Sequence, residues 1–360
     1  MSAIDQPVRD HSPHAHAPMT VPKVMASVML ALAPATLYGF WLYGWPAIFL
    51  WLAAILAAIA TEGLTVRMQG RAARPALLDG SGVLTAWLLA LSLPPWAPWW
   101  IAALGAAFAV VVAKQVFGGL GQNVFNPAMA ARVMLLISFP LEMTTWTRPV
   151  PLGSDVAPGF AQGLGVTFGG TGVDAMASAS LLGHVKTEFS RGLDLAQALA
   201  GGMFQPGAML AGERVGSLGE TAAVLLLLGG VYLIARRVIT WHAPAAMLAG
   251  VAIPALLAAW IAPQSMPGPV YHLLSGGLML GAFFIVTDPV TSPNTTLGQA
   301  VFGFATGLLT WIIRTWGGYP EGVAFAVLIM NAATPVIDRY VRPRVYGRDR
   351  KGVPLNVEAR

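Results

Sequence analysis

Apolar residues dominate ten stretches of the chain, near Val24–Trp41, Pro46–Thr61, Leu77–Leu93, Trp99–Ala113, Pro127–Phe139, Glu220–Ala235, Pro244–Ile261, Val270–Val286, Leu297–Ile313 and Gly322–Ile337. A helix needs about 20 apolar residues to cross about 30 Å of hydrocarbon, fewer where glycine and proline break it. The pattern predicts an all-α polytopic membrane protein with about ten transmembrane helices. The third, fifth and eighth stretches are the least regular. One long, more polar segment, Pro140–Gly219, separates the first five stretches from the last five.

Composition agrees: 56% of residues are hydrophobic, 10% are charged and the mean hydropathy is +0.65. The chain has no cysteine. It therefore cannot supply thiolates to an iron–sulfur cluster, attach a c-type haem or form a disulfide. A net charge of +5 would suggest an acidic partner in a soluble protein, but in a membrane protein basic residues mainly record orientation. Nucleic acid is not expected as a partner.

With ten crossings, Lys23, Arg67, Arg71, Arg74, Lys114, Arg236, Arg237 and the run from Arg339 to Lys351 fall on one side. The other side carries Arg148, Lys186, Arg191, Arg214 and Arg314. By the positive-inside rule both termini are cytoplasmic and Pro140–Gly219 lies outside. Trp41 with Trp45, and Trp96 with Trp99 and Trp100, fit an interfacial aromatic belt. The first residues, with His11, His14 and His16, lack a long apolar run. They read as a disordered cytoplasmic tail, not a cleavable signal peptide, and their histidines as solvated or metal-binding.

Leu78–Pro95 resembles His272–Pro289: Ser81 matches Ser275 and Pro95 matches Pro289, with Gly118-Gly119 and Gly317-Gly318 following at similar distances. Five crossings per half reverse direction, so two such halves form inverted repeats, which place binding sites near broken helices. The expected domains are a tail (1–22), a first five-helix repeat (23–140), an extracytoplasmic loop (141–219), a second five-helix repeat (220–338) and a basic cytoplasmic tail (339–360).

Three segments gather candidate chemistry. In Phe117–Arg132, Asn126 is placed to cap a helix that Pro127 opens. The turn with Gly118, Gly119 and Asn123 then presents free backbone N–H groups to a ligand, or simply enters a helix through unusual dihedrals. Thr287–Thr296 combines hydroxyls, Asp288 and prolines at a span end. It is a turn held by Asp288 or the wall of a pocket. The third is the polar island Gly170–Gly183, with Asp174, Ser178 and Ser180, which is a flexible connector or an attachment site for a phosphate-bearing cofactor. Glu62, Asp79, Lys114, Arg132, Glu220 and Glu321 are candidates for ion or proton handling, most of them near enough to the interface to snorkel. His242 and His272 lack partners at metal-ligand spacing and read as structural.

The strings Leu91-Ser-Leu-Pro-Pro-Trp-Ala-Pro-Trp-Trp100, Phe117-Gly-Gly-Leu-Gly-Gln-Asn-Val-Phe-Asn-Pro-Ala-Met129, Gly216-Ser-Leu-Gly-Glu-Thr221, Thr287-Asp-Pro-Val-Thr-Ser-Pro293 and Gly317-Gly-Tyr-Pro-Glu-Gly-Val-Ala-Phe-Ala-Val-Leu-Ile-Met-Asn331 occur in this order. They resemble the membrane-embedded D subunit of Rnf electron-transport complexes, homologous to the B subunit of the sodium-pumping NADH:quinone oxidoreductase, over roughly Val21–Asp338.

The resemblance implies FMN held as a phosphoester on a threonine of the outside loop by a flavin transferase. Here Ser180 occupies the threonine's position, with Ser178 as a second hydroxyl and Asp174 at the family's acidic position. It also implies a riboflavin-type noncovalent flavin, with Gly118, Gly119, Asn123, Asn126, Thr287 and Asp288 as its walls. The implied role is a subunit of a bacterial inner-membrane translocase passing electrons between ferredoxin and NAD, coupled to Na+ or H+ movement. Its partners would be iron–sulfur and flavin subunits and membrane lipid, and the chain alone would do no NAD chemistry. The residues by themselves also accommodate a small-solute channel or transporter, or a non-redox membrane anchor.

Overall fold

The computed structural model describes residues 19–170, 177–178, 181–199, 206–212, 215–221, 223–319 and 321–342. Helix α1 (Val21–Met68) holds the first two predicted crossings, joined at Gly44, whose φ of 73° and ψ of −161° break the helix. The chain reverses there. Phe40 and Trp51 pack with ring centroids 5.7 Å apart, although eleven residues of straight helix would separate them by about 16 Å. Only glycine takes this left-handed conformation readily. Trp96 Nε1 donates to Tyr43 O at 2.9 Å and closes the bend.

The third crossing is split. Helix α2 (Ala73–Leu78) stops at Asp79-Gly80, and α3 (Ser81–Ser92) restarts with Gly80 at φ 77°. Asp79 Oδ1 accepts the Ser81 N–H at 2.7 Å, satisfying part of the new helix end. Helix α4 (Trp99–Val110) runs on as a π-helix to Gln115, and α5 (Pro127–Ser138) follows. Asn126 caps α5 as expected, accepting the Met129 N–H at 3.2 Å, with Pro127 in the first position.

The segment after α5 holds α6 (Pro140–Thr144), β1 (Trp146–Thr147), α7 (Phe160–Gly169), β2 (Ala177–Ser178), α8 (Leu181–Ser190), α9 (Leu195–Ala198) and α10 (Pro206–Ala211). The two short strands pair antiparallel, with Trp146 opposite Ser178. Val150 and Leu152 donate backbone N–H groups to Leu42 and Trp41, anchoring the segment on the α1 bend. Gly216–Thr221 is buried, and the Gly219 N–H reaches Leu91 O at 2.7 Å beside the end of α3.

The second half opens with α11 (Ala223–Ala235) and α12 (His242–Ile261). Its own split crossing comprises α13 (Pro269–Leu274) and α14 (Leu278–Leu280), which continues as a π-helix to Ile285. Gly276, at φ 65°, lies in this break. Helices α15 (Thr296–Trp316) and α16 (Val323–Tyr340) complete the bundle. Among the described residues four helices, α1, α12, α15 and α16, are long and apolar enough to cross a membrane, and α3, α4 with its extension, α5 and α11 are shorter apolar helices. The chain is a multi-pass membrane protein.

Helices α12 and α15 cross where glycines remove side chains. A Cβ at Gly303 would collide with the Ala243 carbonyl oxygen, and one at Gly307 with that of Met247. Gly303 and Gly307 form the small-xxx-small spacing that lets membrane helices approach backbone to backbone.

Candidate functional site

The α5 cap and the α14–α15 loop meet. Asn126 Nδ2 donates to Asp288 Oδ2 at 3.3 Å, and the Asn126 backbone N–H donates to Asn331 Oδ1 at 3.0 Å. Asn331 Nδ2 returns to Thr291 O at 3.1 Å. Asp288 also accepts from the Val290 N–H and the Thr291 hydroxyl, each at 3.1 Å. The carboxylate thus holds its own turn while the turn forms a wall.

The wall belongs to a cavity of about 810 Å³, including its open mouth, that is lined by Asn123, Asn126, Thr287 and Asp288 together with Ser81 and Lys114. Met25, Val28, Phe283 and Phe284 supply its apolar faces. Of the residues singled out in sequence, Gly118 and Gly119 are not in this lining. With φ of 115° and 100° they form the turn that carries Leu120 and Asn123 to it, and Gly118 O accepts from Arg71 Nη1 at 3.4 Å. Asp174 and Ser180 lie outside the described residues, and of Ser178 only the backbone pairing is described.

Beside the cavity, Lys114 Nζ lies 2.5 Å from Glu62 Oε1 and donates to Ser81 Oγ at 2.6 Å. Gln115 Nε2 donates to the same Glu62 oxygen at 3.0 Å. Both charged side chains are 3% exposed. The expectation that such charges snorkel to the interface is therefore overturned for these two. A single charge at that depth is expensive, and pairing across 52 residues of sequence is the cheaper solution. Gln115 was not picked out in sequence, because an amide ending an apolar helix carries no pattern of its own.

A second buried charge group lies at the opposite end. Arg132 Nη1 donates to Ser92 O, and Arg132 Nη2 lies 4.0 Å from Glu220 Oε1. Arg314 donates to the carbonyls of His272 (2.8 Å) and Ser275 (2.9 Å) in the α13–α14 break, and pairs with Glu321 at 3.1 Å. By sequence Lys114 and Arg314 read as orientation markers. They are instead interior residues, each bound to the start of a broken crossing at Ser81 or Ser275. On α8, burial lowers the Lys186 pKa from its ordinary value. Its Nζ donates to Gly317 O at the end of α15.

The model of the NQR2, RnfD, RnfE family matches residues 8–347. A protein of Halorhodospira halophila, named as the D subunit of an ion-translocating oxidoreductase complex, is 52% identical over 347 residues, covering 96% of this chain and 97% of the relative. One of the same name from Stutzerimonas stutzeri is 53% identical over 337 residues, covering 93% and 95%. Another from Escherichia coli K12 is 41% identical over 353 residues, covering 95% and 98%. The resemblance first carried by the Phe117–Met129 and Gly317–Asn331 strings is thus matched along nearly the whole length, and the chain belongs to the NQR2, RnfD, RnfE family.

Proposed function

We propose that the chain is the flavin-carrying membrane subunit of an Rnf-type ion-translocating oxidoreductase, passing electrons between ferredoxin and NAD through partner iron–sulfur and flavin subunits. It sits in the bacterial inner membrane as ten crossings in two inverted halves, with both termini cytoplasmic. The shared name of its relatives supports a place in a multi-subunit complex.

The observation that carries the reading is the cavity joining Asn126 to Asp288, because its donor set fits a flavin without a phosphate. The one lysine in its lining is neutralised by Glu62, and the lining's carboxylate is that of Asp288. No unpaired cation remains among the described lining residues to hold a phosphate. An ammonium has three donors, and Lys114 commits two of them, to Glu62 and Ser81. One N–H is left for a ring carbonyl. Asn123 commits one amide N–H to Phe125 O at 3.1 Å, leaving its oxygen to accept from a ring N–H and its second N–H to donate. Phe283, Phe284 and Val28 exclude water from the ring faces. A bound flavin exchanges one or two electrons, and the protein sets its position and surroundings.

The phosphate-bearing flavin, FMN, belongs at Ser180 in the segment between the halves, where a serine hydroxyl forms the same ester as threonine. In a denaturing gel of the subunit matured with its flavin transferase, the band fluoresces and the Ser180→Ala band does not. Equal fluorescence in the two would remove Ser180 as the acceptor. Separately, Asn123→Leu lowers the acid-extractable flavin content while leaving the fluorescent band intact.

A further inference from the structure

Where α12 and α15 begin, a cavity of about 500 Å³, open mouth included, lies between the α11–α12 turn, the Thr287–Thr296 loop and the first turn of α15. Thr240, Asn294 and Gln299 are among its polar lining, and Val286, Pro289 and Pro293 among its apolar lining. The Thr240 hydroxyl donates to Gln299 Oε1 at 2.5 Å, which leaves the Gln299 amide N–H groups to donate to a ligand. Both helices are long and apolar enough to cross a membrane from this point, so the cavity sits at the level of the lipid headgroups.

Basic residues flank it on two sides. Arg236 and Arg237 follow α11 and immediately precede Val238, Ile239 and Thr240 of the lining. Both side chains are exposed, and among the described residues neither has a hydrogen-bond or ion-pair partner. No Asp or Glu occurs in the sequence between Glu220 and Asp288. On the other side, the end of α16 meets the loop: the Asn294 N–H donates to Asp338 Oδ1 and the Thr295 hydroxyl to Val341 O, each at 3.3 Å. That contact brings the segment with the exposed Arg339 and Arg342 to the loop, against the one carboxylate of Asp338.

Arg237 stands where the fold prefers glycine. Helix α11 ends in a Schellman turn, with the Val238 N–H on Leu233 O at 3.0 Å and the Arg237 N–H on Ile234 O at 2.9 Å. Residue 237 consequently has φ of 57°, and it is the only non-glycine residue with positive φ among those described. A Cβ is strained in that conformation, and such strain is kept where a side chain has work to do. Orientation alone would be served by a cation anywhere in the turn. Deeper along α15, Leu297, Val301 and Phe304 form an exposed apolar stripe at helical spacing.

We propose that this cavity binds an anionic phospholipid, its phosphate facing Arg236 and Arg237 and accepting from the Gln299 amide, with an acyl chain along Leu297, Val301 and Phe304. Basic pockets between membrane helices suit such headgroups. A zwitterionic lipid would bring its own ammonium against the arginines.

The test uses the full chain in detergent, stripped of lipid, and reads the thermal unfolding midpoint as phosphatidylglycerol or phosphatidylcholine is added. Phosphatidylglycerol is expected to raise the midpoint by several degrees, and phosphatidylcholine by less than half as much. Arg237→Gly relieves the backbone, so without lipid its midpoint equals or exceeds that of wild type. With Arg236→Gln added, more than half of the phosphatidylglycerol shift is lost, whereas Arg148→Gln, at an exposed position elsewhere, keeps it. Equal shifts from the two lipids, an undiminished shift in the double variant, or an equal loss in Arg148→Gln would overturn the proposal and leave the arginines to an acidic partner protein. The same shift from inorganic phosphate alone would make this a free-anion site and overturn the lipid assignment.

Discussion

Glu62 and Lys114 show what a membrane interior demands of a single residue. Each is nearly enclosed, and each holds the other's charge. Removing one partner of a buried pair leaves an uncompensated charge and costs about 3–5 kcal/mol, whereas replacing both by apolar residues of similar volume is often neutral. Lys114→Met alone is accordingly expected to lower the thermal unfolding midpoint in detergent strongly, and Glu62→Leu with Lys114→Met to recover most of the loss. An additive double variant would show that the pair is not a unit. At this scale the sequence was legible where the chemistry is local. Asn126 before Pro127 announced a helix cap, and the cap is there. The partners of Lys114, Arg132 and Arg314 were not legible, because they lie in other helices or across a helix break. A lone charge near a span end looks the same whether it snorkels or pairs.

At the scale of elements, broken helices and close crossings are the recurrent devices. The breaks at Asp79-Gly80 and Ser275–Gly277 both expose backbone groups inside the bundle, and each is met by a buried cation, Lys114 through Ser81 or Arg314 through two carbonyls. The sequence reads the third and eighth crossings as the least regular, and these are the two that break, but it gives each as a single span and does not place the breaks at Gly80 and Gly276. It did not foretell the cations, which come from the fourth crossing of each half. The α12–α15 crossing depends on Gly303 and Gly307. Gly307→Leu forces a side chain against the Met247 carbonyl, and overpacking of this kind costs about 1–3 kcal/mol or more. The expected outcome is a lower unfolding midpoint and reduced yield of folded protein. Gly318→Leu, where nothing lies within 4 Å of a Cβ, serves as the control with little change.

For the whole molecule, hydropathy announced a polytopic membrane protein and separated the two crossings that meet at the Gly44 bend, while the Pro140–Gly219 segment concealed its small helices among polar residues. The absence of cysteine makes the proposed orientation simple to test with single reporters. Asp155→Cys and Gln264→Cys, both at exposed positions, react with a membrane-impermeant maleimide in intact spheroplasts, and Ala72→Cys, also exposed, reacts only after the membrane is opened. The opposite pattern would invert the topology. The central claim is that this membrane subunit carries flavin, and peptide mass spectrometry of the matured chain tests it most directly. The expected result is a peptide containing residue 180 heavier by FMN less water, with this mass lost in Ser180→Ala. An unmodified peptide from chain matured with an active flavin transferase would contradict it.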